Sequence, residues 1–391
     1  MRFFDKAAEP FPLTTISEYR EYAKKRLPSP LFEFIDGGAF EEITLRKNRE
    51  DLQNITLRKR VLKEAETLDT STHLLGQKVN LPLVLAPVAF AGVFAQRGEV
   101  QAARAAKKGG IPFCLSSANI CSLKEIQEAI HTPFWYQTYI LKDRKMGQEM
   151  LKRAHGAGVN VLVLTVDLPS VNSRYRYQKS LRQSLSRAIL ETFTRWQWTY
   201  DVRLQGGPLT MGDVAELFPH LPDLPSMRRW MGTLIDQNMN WADVQELRPH
   251  WPGKLVLKGI LDVEDAQLAA EIGADAIVVS NHGGRHMDNI SSTIAMLPSI
   301  AAKVGHRVEI LIDGGISSGL DVIKALALGA KGCLIGRPWA FALGARGEKG
   351  VSEVIQLFQS ELKMGMAQLG VNRIDEINSK LIHQGLNTQA F

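Results

Sequence analysis

The sequence predicts an α/β protein built on a closed (β/α)8 barrel, a TIM barrel, with an N-terminal helical extension and a long insertion after the fourth barrel strand. Three observations predict it. Eight short apolar runs recur from residue 81 onward. Helical patterns separate most of them. No GxGxxG phosphate loop, the mark of an open doubly wound sheet, occurs in the chain. Most of the runs are β-branched or continuously apolar, as strands covered on both faces must be.

The elements follow in chain order. Residues 1–75 read as a preface to the barrel. Ser17 is placed as the N-cap of a first helix, Pro28 and Pro30 interrupt it, Leu31 to Ile35 resumes it, and Asp36-Gly37-Gly38 turns the chain. The strand runs are Leu81–Ala89, Ile111–Ser116, Phe134–Ile140, Val161–Asp167, Lys254–Ile260, Ala276–Asn281, Glu309–Asp313 and Gly332–Gly336. Between them lie helical patterns at Glu99–Lys108, Ser122–Ile130, Arg144–Ala157, Asp262–Ile272, Ser291–Val304 and Gly319–Leu328. The barrel thus spans 81–347, and 348–391 reads as C-terminal helices of one domain covering 1–391. Residues 168–253 are out of proportion, because a single helix suffices there. Insertions of that length are usually functional, and this one leaves on the face where barrel enzymes keep their chemistry.

Composition sets limits. Hydrophobic residues make up 45% and charged residues 23%, which supplies a large core and excludes disorder and collagen-like repeats. Cys114, Cys121 and Cys333 are too few for a disulfide framework and read as packing. No apolar run approaches the ~20 residues of a membrane span. Met1 to Asp5 lacks the apolar core of a signal peptide, so a cytoplasmic location is expected. The net charge of +6 admits an anionic partner.

Polar residues at the C-terminal ends of barrel strands converge on one site. Here those ends carry Ser116, Gln137 and Tyr139, Thr165 and Asp167, Lys258, Ser280 with His282 and Arg285, Asp313-Gly314-Gly315, and Gly336-Arg337. The set offers a base (His282), a carboxylate to orient it (Asp167) and two cations (Lys258, Arg285). The glycine-rich exits of the last two strands suit a phosphate, which backbone N–H groups and a helix N-terminus would cradle. A phosphorylated cofactor beside a general base is the expectation; which cofactor is open at this point.

Two other patterns compete. His282-x-x-x-His286 has metal-ligand spacing, but Gly283-Gly284 inside it argues against a helix. Off a helix the spacing is not expected to bring the rings together, so no resident metal is expected. Gly315-Ile316-Ser317-Ser318-Gly319 fits GxSxG, with Asp375 and His383 downstream in hydrolase order, yet the barrel rhythm contradicts a hydrolase sheet.

Ser280-Asn281-His282-Gly283-Gly284-Arg285-His286-Met287-Asp288 resembles the signature of the FMN-dependent 2-hydroxy-acid dehydrogenases and oxidases. The resemblance extends over nearly the whole chain, through Asp36-Gly37-Gly38-Ala39, Ala86-Pro87, Gln137-x-Tyr139, Thr165-Val166-Asp167, Val256-Leu257-Lys258-Gly259, Asp313-Gly314-Gly315 and Ala327-Leu328-Gly329-Ala330. The second half looks most like the membrane-associated lactate and mandelate dehydrogenase branch. The resemblance implies FMN as cofactor. Backbone at Pro87, Val88 and Ala89 would contact it, with Ser116, Gln137 and Thr165 around the ring. Lys258 and Ser280 would sit by its N1/O2 edge, and Asp313, Gly314, Gly315, Gly336 and Arg337 would hold the ribityl phosphate end. It implies His282 as base, Asp167 as the stabiliser of its imidazolium, Tyr139 on the substrate oxygen, and Arg285 with Arg174 on the substrate carboxylate. It also implies an L-2-hydroxy acid as substrate, lactate first, and a homo-oligomer, a tetramer.

Three departures stand out. Phe34 occupies the place of a carboxylate-binding tyrosine. Ser317 replaces an arginine beside the phosphate. His286-Met287 replaces Gln-Leu next to the base.

The insertion bears on the electron acceptor. Residues 174–203 hold Arg174, Arg176, Lys179, Arg182, Arg187, Arg195 and Arg203 against Glu191 and Asp201. Leu181, Leu185, Ile189 and Phe193 recur every four residues, and Trp196 and Trp198 follow. A basic amphipathic helix of this kind lies in a bilayer interface, or packs its stripe on the barrel as a lid. With the resemblance, the expectation is peripheral contact with the inner face of the cytoplasmic membrane and electron transfer to quinone or a respiratory chain. The alternatives are a soluble oxidase using oxygen, or a flavin-binding homologue impaired by Phe34 and Ser317. Nucleic acid is excluded as partner, since the basic residues cluster in one insertion without a recognition motif.

Overall fold

The computed structural model describes residues 13–63, 67–168, 173–182, 190–191, 193–207, 209–213 and 233–383. Three helices precede the barrel: α1 (Ile16–Arg26), α2 (Ser29–Asp36) and α3 (Ile43–Asn54). Thr15, not Ser17, caps α1. Its hydroxyl accepts from Glu18 N–H, and the Glu18 carboxylate accepts from Thr15 N–H, a reciprocal box that Ser17 cannot make with its own neighbours. Pro28 and Pro30 start α2 rather than merely breaking α1.

The extension is not wholly helical. An antiparallel hairpin, β1 (Thr72–Leu74) and β2 (Gln77–Val79), crosses its expected end at residue 75. Its turn places Leu75 and Gly76 at φ of 51° and 80°, the primed-turn geometry that Asn-Gly normally announces. Leucine in the first of those positions hides the signal.

The barrel strands are β3 (Leu83–Leu85), β4 (Cys114–Ser116), β5 (Phe134–Thr138), β6 (Val159–Thr165), β7 (Lys254–Ile260), β8 (Ala276–Val279), β9 (Glu309–Ile312) and β10 (Gly332–Ile335). All pair in parallel, in the order β3-β10-β9-β8-β7-β6-β5-β4, and a bridge between Leu85 and Phe113 closes the ring. Each expected run meets one strand, though β6 starts at Val159, two residues ahead of its run. The outer helices are α4 (Gly98–Gly109), α5 (Leu123–Ile130), α6 (Arg144–Gly156), then past the insertion α9 (Val263–Glu271), α10 (Thr293–Val304) and α11 (Gly319–Ala327). The last helix, α12 (Arg337–Leu369), breaks at Arg346 and Gly347, where φ and ψ leave the helical range.

The barrel interior is a small sealed core. Val84, Cys114, Trp135, Val161, Val163, Val256, Ala276, Val278, Leu311 and Leu334 fill it, and Leu74 and Val79 of the hairpin plug its lower end. Side chains alternate along a strand, so two residues further on each strand points inward again, one layer higher. That next layer reads Ala86, Ser116, Gln137, Thr165, Lys258, Ser280, Asp313 and Gly336. The apolar core therefore becomes polar at a single level, at the C-terminal mouth.

In the insertion, α7 (Tyr175–Leu181) and α8 (Trp241–Leu247) are formed. Leu185 and Ile189 of the expected stripe, and Arg187 of its basic residues, lie outside the described residues. Leu181, Phe193 and Trp196 are exposed. Trp198 is not an interfacial residue: it is buried, and its indole N–H donates to Val93 O at 2.8 Å. Part of the basic charge is also spent internally, since Arg176 pairs with Glu33, Asp36 and Glu42. Among the described residues, no helix is long and apolar enough to cross a membrane.

Candidate active site

A cavity of about 760 Å³ opens above the polar layer. Pro87, Val88, Ala89, Ser116, Gln137, Tyr139, Thr165, Lys258, His282, Arg285, Asp313, Gly314, Gly315, Gly336, Arg337 and Phe34 all line it. Asp167 reaches it through His282, and Ser280 through Lys258. Arg174 stands behind Phe34. Every residue expected at the site is thus gathered around one space.

His282 and Asp167 face each other from β8 and β6. The imidazole Nδ1 lies 3.1 and 3.2 Å from the two carboxylate oxygens. Gly259 makes the approach of this pair to Lys258 feasible: a Cβ there would fall 2.5 Å from Asp167 Cβ, and its φ is 113°. Burial, with Lys258, Arg285, Arg174 and Arg337 nearby, holds the His282 pKa well below the usual imidazole range. The ring is therefore neutral at pH 7 and able to accept a proton, and Asp167 is placed to stabilise the cation that results.

Lys258 is buried and sits between two partners. Its Nζ donates to Ser280 Oγ at 3.1 Å and lies 3.0 Å from Asp313 Oδ2. Burial works against its charge, but Asp313 and Asp167 outweigh it and raise its pKa. It stays a cation. Tyr139 stays a neutral phenol: burial, with the Asp167 charge, pushes it up to about 12.

The glycine-rich end is formed by Gly314 and Gly315, both at positive φ. A Cβ on Gly315 would strike Asn48 O at 2.4 Å, so the glycine is what lets α3 approach. That approach delivers Arg49. Its guanidinium donates to Gly315 O at 2.6 Å and to Asp321 at 2.8 Å, and it lines the cavity. Arg49 was not legible as a site residue, being far away in sequence. It bonds the same Asp321 carboxylate oxygen as Ser317, the position where the resemblance expects an arginine. Ser317 itself bonds Asp321 through N–H and hydroxyl. Asp375 pairs with Arg373, so the GxSxG pattern gathers no triad among these contacts.

The end of the cavity beside α2 is cationic. α2 ends with carbonyls that lack helical partners. Arg285 donates to Phe34 O, Ile35 O and Gly37 O, Arg337 to Ile35 O, Gly37 O and Gly283 O, and Arg174 to Phe34 O. Arg174 and Arg285 also cover the Phe34 ring, at 5.0 and 5.4 Å. Burial and mutual repulsion push Arg285 well below the usual guanidinium range and Arg337 down to about 10. Guanidinium groups keep their protons, so this crowding is relieved by an anion. A bidentate grip on a carboxylate requires Arg285 to exchange some of its carbonyl partners.

One expectation fails outright. His282 and His286 are in contact despite the missing helix, with ring centroids 3.9 Å apart. His282, Gly283 and Gly284 have φ of 55°, 63° and 69°, and Gly284 N–H bonds Asn281 O. Three left-handed residues in a row make a tight turn, which brings residue i+4 back over residue i as a right-handed helix would. Glycines that weaken a right-handed helix adopt the left-handed turn without steric cost.

FMN suits this cavity. Thr165 Oγ1 and Asp313 Oδ1 are buried, belong to lining residues, and have no hydrogen-bond partner among the described residues. Such atoms in a native fold call for a polar ligand. A lysine for an anionic ring edge, backbone N–H groups and cations for a phosphate, and a neutral base complete the donor set.

The comparisons agree. The profile of the FMN-dependent dehydrogenase family matches residues 23–384. An L-lactate dehydrogenase of Caulobacter sp. (strain K31) is 45% identical over 373 residues, 95% of this chain and 98% of that one. The crystal structure of the monotopic membrane protein (S)-mandelate dehydrogenase superposes with a TM-score of 0.89 at 31% identity, over 95% of this chain and 99% of that one. A mandelate oxidase superposes with a TM-score of 0.80 at 32% identity, over 95% and 98%. The chain belongs to the FMN-dependent dehydrogenase family and is an FMN-dependent oxidoreductase.

Proposed function

We propose that the protein oxidises L-lactate, or a close L-2-hydroxy acid, to the 2-oxo acid. The observation that carries this is a neutral His282 bonded to Asp167 and facing a cavity that also holds Lys258 and a cluster of buried arginines. When bound, FMN takes up the two electrons that leave the substrate. Arg285 and Arg174 hold the substrate carboxylate against Phe34, and Tyr139 donates to the substrate oxygen. His282 accepts one of the two protons that leave the substrate, the other going with the electrons to FMN, and Asp167 stabilises the imidazolium. Pro87, Val88, Ala89, Ser116, Gln137 and Thr165 surround the cofactor ring. Lys258 and Ser280 lie at its edge. Asp313, Gly314, Gly315, Gly336 and Arg337 take the phosphate end, and Arg49 supplies the cation that Ser317 lacks. The test is an anaerobic visible spectrum with L-lactate, (S)-mandelate, glycolate and a long-chain 2-hydroxy acid added in turn. Bleaching by L-lactate is expected; bleaching by none of the four sinks the reading.

Electrons then pass to quinone or a respiratory acceptor at the inner face of the cytoplasmic membrane, from a homotetramer. Exposed Leu190, Phe193, Trp196, Tyr200 and Leu204, interleaved with Arg195 and Arg203, support membrane contact. Flotation with anionic liposomes should be lost when residues 178–215 are removed, and equal flotation of both forms defeats it. The likeness to a mandelate oxidase favours one second reading, a soluble oxidase. A stoichiometric peroxide yield under air would establish that reading instead.

A further inference from the structure

The turn that folds His286 back over His282 creates something neither ring has alone. Asp167, His282 and His286 each offer one ligand atom, and these three atoms lie within 4.8 Å of one another. All three residues are partly exposed, so an entry path from solvent exists. We propose that Asp167, His282 and His286 form an inhibitory binding site for a divalent transition-metal cation such as Zn²⁺, which takes the base out of action while it is bound.

The chemistry fits Zn²⁺ in three respects. Two imidazoles and a carboxylate are a common ligand set for it, with bonds of about 2.0–2.2 Å. A tetrahedral ion with such bonds holds its ligand atoms about 3.3 Å apart. Asp167 and His282 already stand at that separation, 3.1 Å. Only His286, on the turn after β8, has to close in, and a fourth position is left for water. Both rings bring nitrogen donors, which bind metal in their neutral form.

The same surroundings exclude hard cations. Lys258, Arg285, Arg174 and Arg337 crowd the site with positive charge. Mg²⁺ and Ca²⁺ bind through oxygen ligands, whereas two of the three ligands here are nitrogens. A borderline-soft ion gains from two nitrogen bonds and can overcome the repulsion. The ion is no resident cofactor. It competes with the proton that His282 must accept, so occupancy and turnover exclude each other.

The test uses the FMN-loaded protein. ZnCl₂ is titrated calorimetrically into wild type and His286→Gln, with MgCl₂ as control. The anaerobic rate of flavin reduction is measured with and without ZnCl₂ in both. Wild type should bind one Zn²⁺ per chain, and its rate should fall at least tenfold and recover with EDTA. His286→Gln should lose that binding event, and the ratio of its two rates should stay within twofold. If His286→Gln does not retain FMN, His286→Asn makes the same comparison. Equal Zn²⁺ binding by wild type and variant, or equal inhibition, overturns the site. Calorimetry needs no substrate, so a wrong substrate assignment leaves the binding result standing.

Discussion

Lys258 Nζ and Asp313 Oδ2 lie 3.0 Å apart across the barrel mouth, with side chains only 4% and 10% exposed. Two charges this deep are tolerable only together. Removing one leaves the other uncompensated, at a typical cost of about 3–5 kcal/mol. Lys258→Met should therefore destabilise the flavin-free protein by that order in urea unfolding. It should also weaken FMN binding, whereas Lys258→Arg should recover much of the stability. A Lys258→Met protein as stable as wild type would show that Asp313 finds another partner.

His282→Gln removes the proton acceptor while keeping a polar side chain of similar reach. General base catalysis is worth about 10²–10⁴-fold. Flavin reduction by every 2-hydroxy acid should fall by at least that factor in anaerobic stopped flow, with FMN retained. Asp167→Asn keeps a hydrogen-bonding group beside Nδ1 but loses the charge, so it should fall less. Unchanged reduction in His282→Gln would end the assignment.

Arg49 predicts a binding phenotype without a catalytic one. A hydrogen bond to a charged group contributes about 1.5–3 kcal/mol. The Arg49 side chain is 37% exposed, so solvent screening favours the lower end. Arg49→Ala should raise the FMN Kd about tenfold in titrations of stripped protein. Adding Ser317→Arg to it should restore affinity, because both side chains address the same end of the cavity. An unchanged Kd in Arg49→Ala would confine the residue to its bonds with Gly315 and Asp321.

These residues show what a sequence carries and what it does not. The barrel was legible because each strand is a local event, an apolar run between turn residues. The site was legible because chain direction alone sends strand ends to one mouth. Ser116, Gln137, Thr165, Lys258 and Asp313 could be named on that ground. Arg49 could not, since it meets Gly315 only after α3 packs across the barrel. The His282–His286 contact was missed because the glycines were judged against the wrong hand of turn. The carbonyls that occupy Arg285 were also invisible, because backbone acceptors leave no mark in a side-chain pattern.

Asp36 ties the substrate end to pH. Arg20 bonds both its carboxylate oxygens and Arg176 bonds one. Burial raises the Asp36 pKa, but these guanidinium bonds outweigh it and hold the group below its ordinary value of 3.8. The folded state then binds fewer protons than the unfolded one. The stabilisation is fully present above the ordinary carboxylate range and is lost as pH falls through the folded value. Both arginines are over a third exposed, so about 1 kcal/mol is expected. Unfolding followed from pH 7 to pH 3 should show a steeper acid loss in wild type than in Asp36→Asn. Parallel curves would mean that the ion pairs contribute nothing net.

Phe34 sets the last prediction, on specificity. Its ring contacts Tyr177 at 5.6 Å and Phe90 and Phe94 at 6.2 and 6.3 Å, while Arg174 and Arg285 cover its face. It lines the cavity, so a hydroxyl added to it enters a space that already attracts carboxylate. Phe34→Tyr should therefore add one hydrogen bond to the bound acid. A bond of about 0.5–1.5 kcal/mol lowers KM for L-lactate about 2–10-fold. It acts equally on bound substrate and transition state, so kcat should hardly move. A lowered KM with constant kcat would make Phe34 a determinant of carboxylate affinity. An unchanged KM would place the carboxylate on Arg285 and Arg174 alone, and the ring would then serve to keep those two guanidinium groups apart and in register.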